Sequence, residues 1–194
     1  MRKLLIAGLL AGPLSTAAFA QDSSPPAGGF HIEGLGGYDS ARIEDDKDGG
    51  VLYGVGAGYD FRVGRAILGI QGEASESTND GCVSGLAAPG DSLCARAGRE
   101  LFIGGRAGFM AGRRILLYGT AGYTNARFRI DYADGTAAGT NNFSVAQNLD
   151  GVRVGAGAEF GIGSRAFLRT ELRYSNFEQG SDRGQAVAGF GFRF

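Results

Sequence analysis

The sequence predicts an all-β protein: an eight-stranded antiparallel up-and-down transmembrane β-barrel, exported before it folds. Three observations carry this expectation. The chain opens on a signal-peptide pattern. The remainder alternates with period two and has no convincing period of 3.6. Its connections alternate between short and long, as in outer-membrane barrels with short periplasmic turns and longer outer loops.

Arg2 and Lys3 give a positive start, an apolar run follows from Leu4 to Leu14, and Ala18-Phe19-Ala20 supplies a small-x-small cleavage pattern. Residues 1–20 are therefore read as a signal peptide cut before Gln21. The apolar run is shorter than the roughly 20 residues a spanning helix needs. Residues 21–28 form a polar, Pro-containing leader, and 29–194 form the barrel domain.

The strands follow in order. Phe30 to Ile43 has a loose alternation. From Val51 to Phe61, Val51, Tyr53, Val55, Ala57, Tyr59 and Phe61 share one face, against Leu52, Gly54, Gly56, Gly58 and Asp60. Ala66 to Ser75 and Arg99 to Phe109 alternate loosely. The fifth segment, Ile115 to Tyr132, leaves its faces open: Tyr118 and Tyr123 have opposite parity, which a bulge would explain. Val152, Val154, Ala156, Ala158 and Phe160 oppose Arg153, Gly155, Gly157 and Glu159. Leu168, Thr170, Leu172 and Tyr174 oppose Arg169, Glu171 and Arg173. Ala186, Ala188, Phe190, Phe192 and Phe194 oppose Gly189, Gly191 and Arg193. Short turns fall near 62–65, 111–114 and 161–165. Longer loops fall near 44–50, 77–97, 133–149 and 178–184. An even number of strands puts both ends of the domain on the short-turn side, facing the periplasm.

Composition agrees with this outline. Of 194 residues, 36 are Gly and only 4 are Pro. Glycine at about three times its usual share, without a Gly-x-y period, belongs inside regular structure. Mean hydropathy is −0.06, which suits a barrel, because only every second residue faces lipid. A net charge of −1 gives no reason to expect a nucleic-acid partner. Cys82 and Cys94, the only cysteines of an exported chain, predict a disulfide closing a small loop, worth on the order of 3 kcal/mol by loop entropy. A metal site would need more ligands at set spacings.

An Arg facing lipid at mid-membrane costs roughly 2–4 kcal/mol, so the charged faces must point into the barrel. There Glu73, Arg106, Arg153, Glu159, Arg169, Glu171 and Arg173 supply both signs, and buried charges must pair. The neighbouring glycines leave room for long side chains in a narrow lumen. A solvated face of a soluble sheet would favour Lys, Thr and Ser instead.

The last strand, with Phe190, Phe192 and Phe194 alternating outward, resembles the terminal strand of outer-membrane barrels, which the barrel-assembly machinery reads. The run Leu168-Arg169-Thr170-Glu171-Leu172-Arg173-Tyr174-Ser175-Asn176-Phe177 resembles the penultimate strand of opacity-type surface proteins, relatives of the membrane domain of outer membrane protein A. Arg106-Ala107-Gly108 and Leu117-Tyr118-Gly119-Thr120-Ala121-Gly122-Tyr123 are similar to that family's middle strands. The resemblance spans 28–194 and implies architecture more than activity. A peptidoglycan-binding domain like that of the longer relatives is not expected after Phe194.

Other motifs are set aside. Gly155-x-Gly157-x-x-x-Gly161 has the wrong spacing for a dinucleotide loop, and no helix follows. Glu44-x-Asp46-x-Asp48-Gly49 would place Val55 at the bidentate position of a calcium loop; an acidic, solvated loop is the simpler reading. The single histidine, His31, reads as structural, and no Gly-x-Ser-x-Gly elbow is present. No enzyme activity, cofactor or metal site is expected. The expected function is structural and surface-exposed: a barrel with a side-chain-filled lumen that supports the envelope and displays four loops. The alternative is a narrow porin for ions or small solutes. Expected partners are outer-membrane lipid and lipopolysaccharide, the barrel-assembly machinery, and host or surface ligands taken through the loops.

Overall fold

The computed structural model describes residues 28–43, 46–78, 80–85, 90–135, 141–178 and 181–194. Of residues 41–43, 46–48, 95 and 181 it describes the backbone. The signal peptide and nearly all of the leader lie outside the described residues.

Nine strands are found among the described residues: β1 Gly29–Ile43, β2 Asp46–Val63, β3 Ala66–Ser77, β4 Asp80–Ser84, β5 Ser92–Met110, β6 Ile115–Ala133, β7 Phe143–Ile162, β8 Ala166–Phe177 and β9 Ser181–Arg193. All pair antiparallel in one sheet. The sheet closes on itself because β1 pairs with both β2 and β9, and β3 pairs with β5. The expectation of eight strands is therefore corrected. The strand it missed is β4, which pairs with β5 along Asp80↔Arg96 to Ser84↔Ser92.

Parts of the long loops expected at 44–50, 77–97 and 133–149 are strand as well. β2 already starts at Asp46, β5 reaches back to Ser92, and β6 and β7 pair as far as Tyr132↔Phe143. Beyond the membrane both faces of a hairpin meet water. The apolar/polar alternation then disappears although the backbone ladder continues, so periodicity gives no warning of these extensions.

Register settles the faces of the fifth sequence segment. β6 pairs with β7 without interruption from Ile115↔Phe160 to Tyr132↔Phe143, so no bulge separates Tyr118 from Tyr123. Tyr118 is buried in the lumen and Tyr123 is exposed outside. The irregularity sits instead on β5, between Ala97 and Glu100.

Outward positions carry Ile32, Val55, Leu68, Ile70, Ile103, Leu117, Val154 and Leu172. Val55, Ile103 and Leu172 are 63%, 67% and 70% exposed, a band that only an apolar surrounding covers. Aromatic rings border it. Tyr38, Tyr53, Tyr123 and Tyr174 lie toward the long hairpins; Phe30, Phe61, Phe109, Phe160 and Phe192 lie toward the short turns. From Tyr53 to Phe61 a strand rises about 27 Å, or about 20 Å in height at the usual tilt. That approaches the apolar band of a transmembrane barrel. The short turns each hold a glycine with positive φ: Gly64 at 65°, Gly112 at 99° and Gly163 at 67°, a conformation that glycine alone adopts freely.

Candidate functional site

The inward residues fill the lumen with charge. Arg153, Arg169, Glu73, Glu171, Arg106 and Glu159 are all buried. In the middle of the barrel Glu73 receives three guanidinium groups: Arg153 Nη1 at 3.1 Å, Arg169 Nη2 at 2.5 Å and Arg173 Nη2 at 2.8 Å. Arg173 also donates through Nε to Glu171 Oε1 at 2.8 Å. Nearer the short turns, Arg106 donates to Glu159 Oε2 at 2.6 Å. Five of the seven predicted lumen residues thus meet around Glu73, while Arg106 and Glu159 form a second group.

Residues not singled out from the sequence extend both groups. Toward the long hairpins, Arg153 binds Glu100, Arg183 binds Glu100 at 3.0 Å, and Arg183 forks onto Asp39. Arg169 reaches Glu33 at 2.7 Å. Toward the turns, Arg193 joins Glu159 at 2.8 Å to Asp60 at 2.9 Å. His31 lies 3.6 Å from Asp60 and edge-on to Phe167. Tyr118 connects the groups: its hydroxyl donates to Glu171 at 2.7 Å, and Arg106 sits over its ring at 4.3 Å. Strand parity alone could have found Asp60 and Arg193, which share their strands' inner faces with the glycines. Glu33, Asp39 and Glu100 sit on strands whose inner faces also carry Leu35 and Phe102, which blurs the pattern.

Glycine makes this packing fit. A Cβ on Gly56 would lie 2.8 Å from Glu33 Oε1, and one on Gly157 would lie 2.6 Å from the Tyr118 hydroxyl. Apolar side chains close the short-turn end, where Ile67, Met110 and Leu116 cluster with Tyr118. Among the described residues no cluster of His, Cys, Asp and Glu could hold a metal ion.

The other predicted residues lie apart. Cys82 and Cys94 face each other across β4 and β5 and form a disulfide with Cα atoms 4.1 Å apart. Phe190, Phe192 and Phe194 point outward. Phe190 and Phe192 pack edge to face at 5.2 Å, and Phe194 meets Phe30 at 6.3 Å. The Phe194 amide donates to the Phe30 carbonyl at 2.8 Å, at the seam between the first and last strands.

Comparison with known proteins agrees with this architecture. A "22 kDa outer membrane protein" of Rhizobium leguminosarum bv. viciae is 26% identical over 188 residues, covering 87% of this chain and 80% of that protein. The attachment invasion locus protein Ail of Yersinia pestis, solved in complex with the heparin analogue sucrose octasulfate, superposes with a TM-score of 0.58 at 14% identity. That alignment covers 86% of this chain and 99% of Ail. Neisserial surface protein A superposes with the same TM-score at 15% identity, covering 85% and 97% of the two chains. At such identities the two structures speak for the fold alone. The model of the outer membrane protein beta-barrel domain family matches residues 5–194, so the chain belongs to that family and is a protein of the outer membrane.

Proposed function

We propose that this protein is a closed, surface-exposed structural barrel of the envelope. Its interior is braced rather than conducting, and its long hairpins are displayed to the outside. The observation that carries this reading is the set of ion pairs centred on Glu73, which runs from Asp39 and Arg183 through Arg153 and Arg169 to Arg173. A barrel of this size has an interior filled by its own side chains. Here the apolar cluster of Ile67, Met110 and Leu116 adds a second barrier at the turn end.

The short turns face the periplasm in this reading, and the signal peptide leaves after Ala20. The stripe of Phe190, Phe192 and Phe194 presents the C-terminal strand to the barrel-assembly machinery. The displayed hairpins are the surface through which a host or environmental ligand would be taken. Conductance of the refolded mature chain in a planar bilayer tests the proposal. The expected record shows no stable single-channel steps. Regular stepwise openings would reject the closed lumen and favour the narrow porin.

A further inference from the structure

We propose that the short-turn rim of the barrel binds the phosphate headgroups of anionic phospholipids in the inner leaflet, through an arc of five arginines: Arg62, Arg65, Arg113, Arg114 and Arg165. The inference rests on the reading above in one respect, that the short turns face the periplasm.

Strand order builds the arc. The three short turns are residues 64–65, 111–114 and 163–165. They stand side by side on the rim, because β3 pairs with β5 and β6 pairs with β7. Neighbouring turns lie two strand spacings apart, about 10 Å. Backbone bonds tie them together: the Met110 amide donates to the Arg65 carbonyl at 3.0 Å, and the Gly161 amide donates to the Arg114 carbonyl at 2.8 Å. Residues 62–65, 111–114 and 161–165 include five arginines and no acid. All five arginines are exposed.

The carboxylates at this end of the lumen are engaged elsewhere. Asp60 and Glu159 are held by Arg193, and Glu159 also by Arg106. Arg62 donates to the Gly64 carbonyl at 3.0 Å and Arg65 to the Met110 carbonyl at 3.1 Å. Those bonds fix the side chains without cancelling their charge. Among the described residues, Arg62, Arg65, Arg114 and Arg165 make no ion pair. Like charge gathered on one rim repels itself, and an anion seated between the turns relieves that repulsion.

Position decides the occupant. Phe61, Phe109 and Phe160, which border the apolar band at this end, lie within five residues of the arginines that follow them. With the strand tilt, the turns therefore project no more than about 10 Å past the aromatic border. That is the depth of lipid headgroups, and an arginine can lay its apolar stem back along the interface while its charge stays in the polar layer. Cell-wall polymer, which lies clear of the bilayer, calls for longer projections. Guanidinium groups match phosphate oxygens with several donors in a fixed fork, and anionic headgroups attract basic groups held at the membrane surface.

The test places a fluorophore on Ser164→Cys, exposed in the turn beside Arg165; Cys82 and Cys94 are bonded to each other and do not compete for the label. The refolded mature chain is reconstituted in phosphatidylcholine vesicles containing equal amounts of either nitroxide-labelled phosphatidylglycerol or nitroxide-labelled phosphatidylcholine. One basic group near an anionic surface is worth about fivefold in local affinity. Quenching should therefore report a local excess of phosphatidylglycerol of about fivefold or more. Combining Arg113→Gln, Arg114→Gln and Arg165→Gln should bring the ratio close to parity, and so should about 1 M salt, which shortens screening to about 3 Å. Arg96→Gln, beyond the opposite rim, should leave the ratio unchanged. Gel migration before and after boiling checks that each variant folds. Equal quenching by the two lipids, or a ratio that the triple variant leaves unchanged, overturns the proposal. An unchanged lipid ratio with lost retention on isolated peptidoglycan also overturns it and assigns the arc to the cell wall. Vesicles carry the same lipid in both leaflets, so these results do not depend on orientation. An impermeant maleimide on intact cells tests orientation separately and should label Asn148→Cys but spare Ser164→Cys. The reverse pattern overturns the outward display of the hairpins together with the inner-leaflet assignment; the expected pattern with equal quenching overturns the arc alone.

Discussion

Replacing Glu73 with Ala removes the acceptor of three buried guanidinium groups at once. Each lost bond involves two charged partners, and such bonds contribute roughly 1.5–3 kcal/mol apiece. The three together set an upper bound of about 9 kcal/mol. The actual loss is smaller because every arginine keeps another carboxylate: Arg153 keeps Glu100, Arg169 keeps Glu33 and Arg173 keeps Glu171. The expected cost is therefore about 3–5 kcal/mol, the usual range for breaking a buried pair. Glu73→Gln keeps the shape and one acceptor oxygen and should cost less. Urea unfolding of the refolded barrel in vesicles, followed by circular dichroism and gel migration, measures it. Asp131→Ala is the comparator: it breaks a pair with a largely exposed Arg96 and should cost less than about 1 kcal/mol. Equal midpoints for Glu73→Ala and Asp131→Ala would refute the claim that the lumen pairs brace the barrel.

Two further predictions address the periphery. The Cys82→Ser, Cys94→Ser variant should keep the barrel and its heat-dependent gel shift, while limited proteolysis cuts the β4–β5 hairpin sooner; loss of the shift would contradict a local role for the disulfide. Deleting Phe194 removes one ring and one seam hydrogen bond. The truncated chain should refold in detergent but accumulate poorly in the outer membrane of cells, and normal accumulation would dismiss the terminal strand as an assembly signal.

Within the membrane, sequence and structure speak the same language. One face of β2, β7, β8 or β9 meets lipid and the other meets the lumen, so parity along Val152 to Phe160 or Leu168 to Tyr174 is visible in the residues themselves. Outside the membrane that contrast vanishes, which hid β4, the start of β2 and the far ends of β5 and β7 and produced the wrong strand number. Tyr118 and Tyr123 misled for a related reason. An aromatic residue suits the girdle and the lumen equally, so residue type cannot tell inside from outside. The candidate site was half visible. Arginines between glycines stand out, as at Arg153 and Arg169. Glu33 and Asp39 share a face with Leu35, and their partners lie on strands far along the chain, so only the register brings them together.

That separation shapes how the protein comes to exist. Arg183 and Asp39 lie 144 residues apart, and Arg173 and Glu73 lie 100 apart. Neither pair can form in a growing hairpin. A half-built sheet lying in the bilayer would hold guanidinium groups such as those of Arg153 and Arg183 in hydrocarbon without their carboxylates, at a cost of several kcal/mol for each bare charge. Stepwise insertion, strand by strand, is thus the unfavourable route. The barrel must curl and meet its own edge before or while it enters the lipid, and the lumen charges make half-inserted forms too unstable to accumulate.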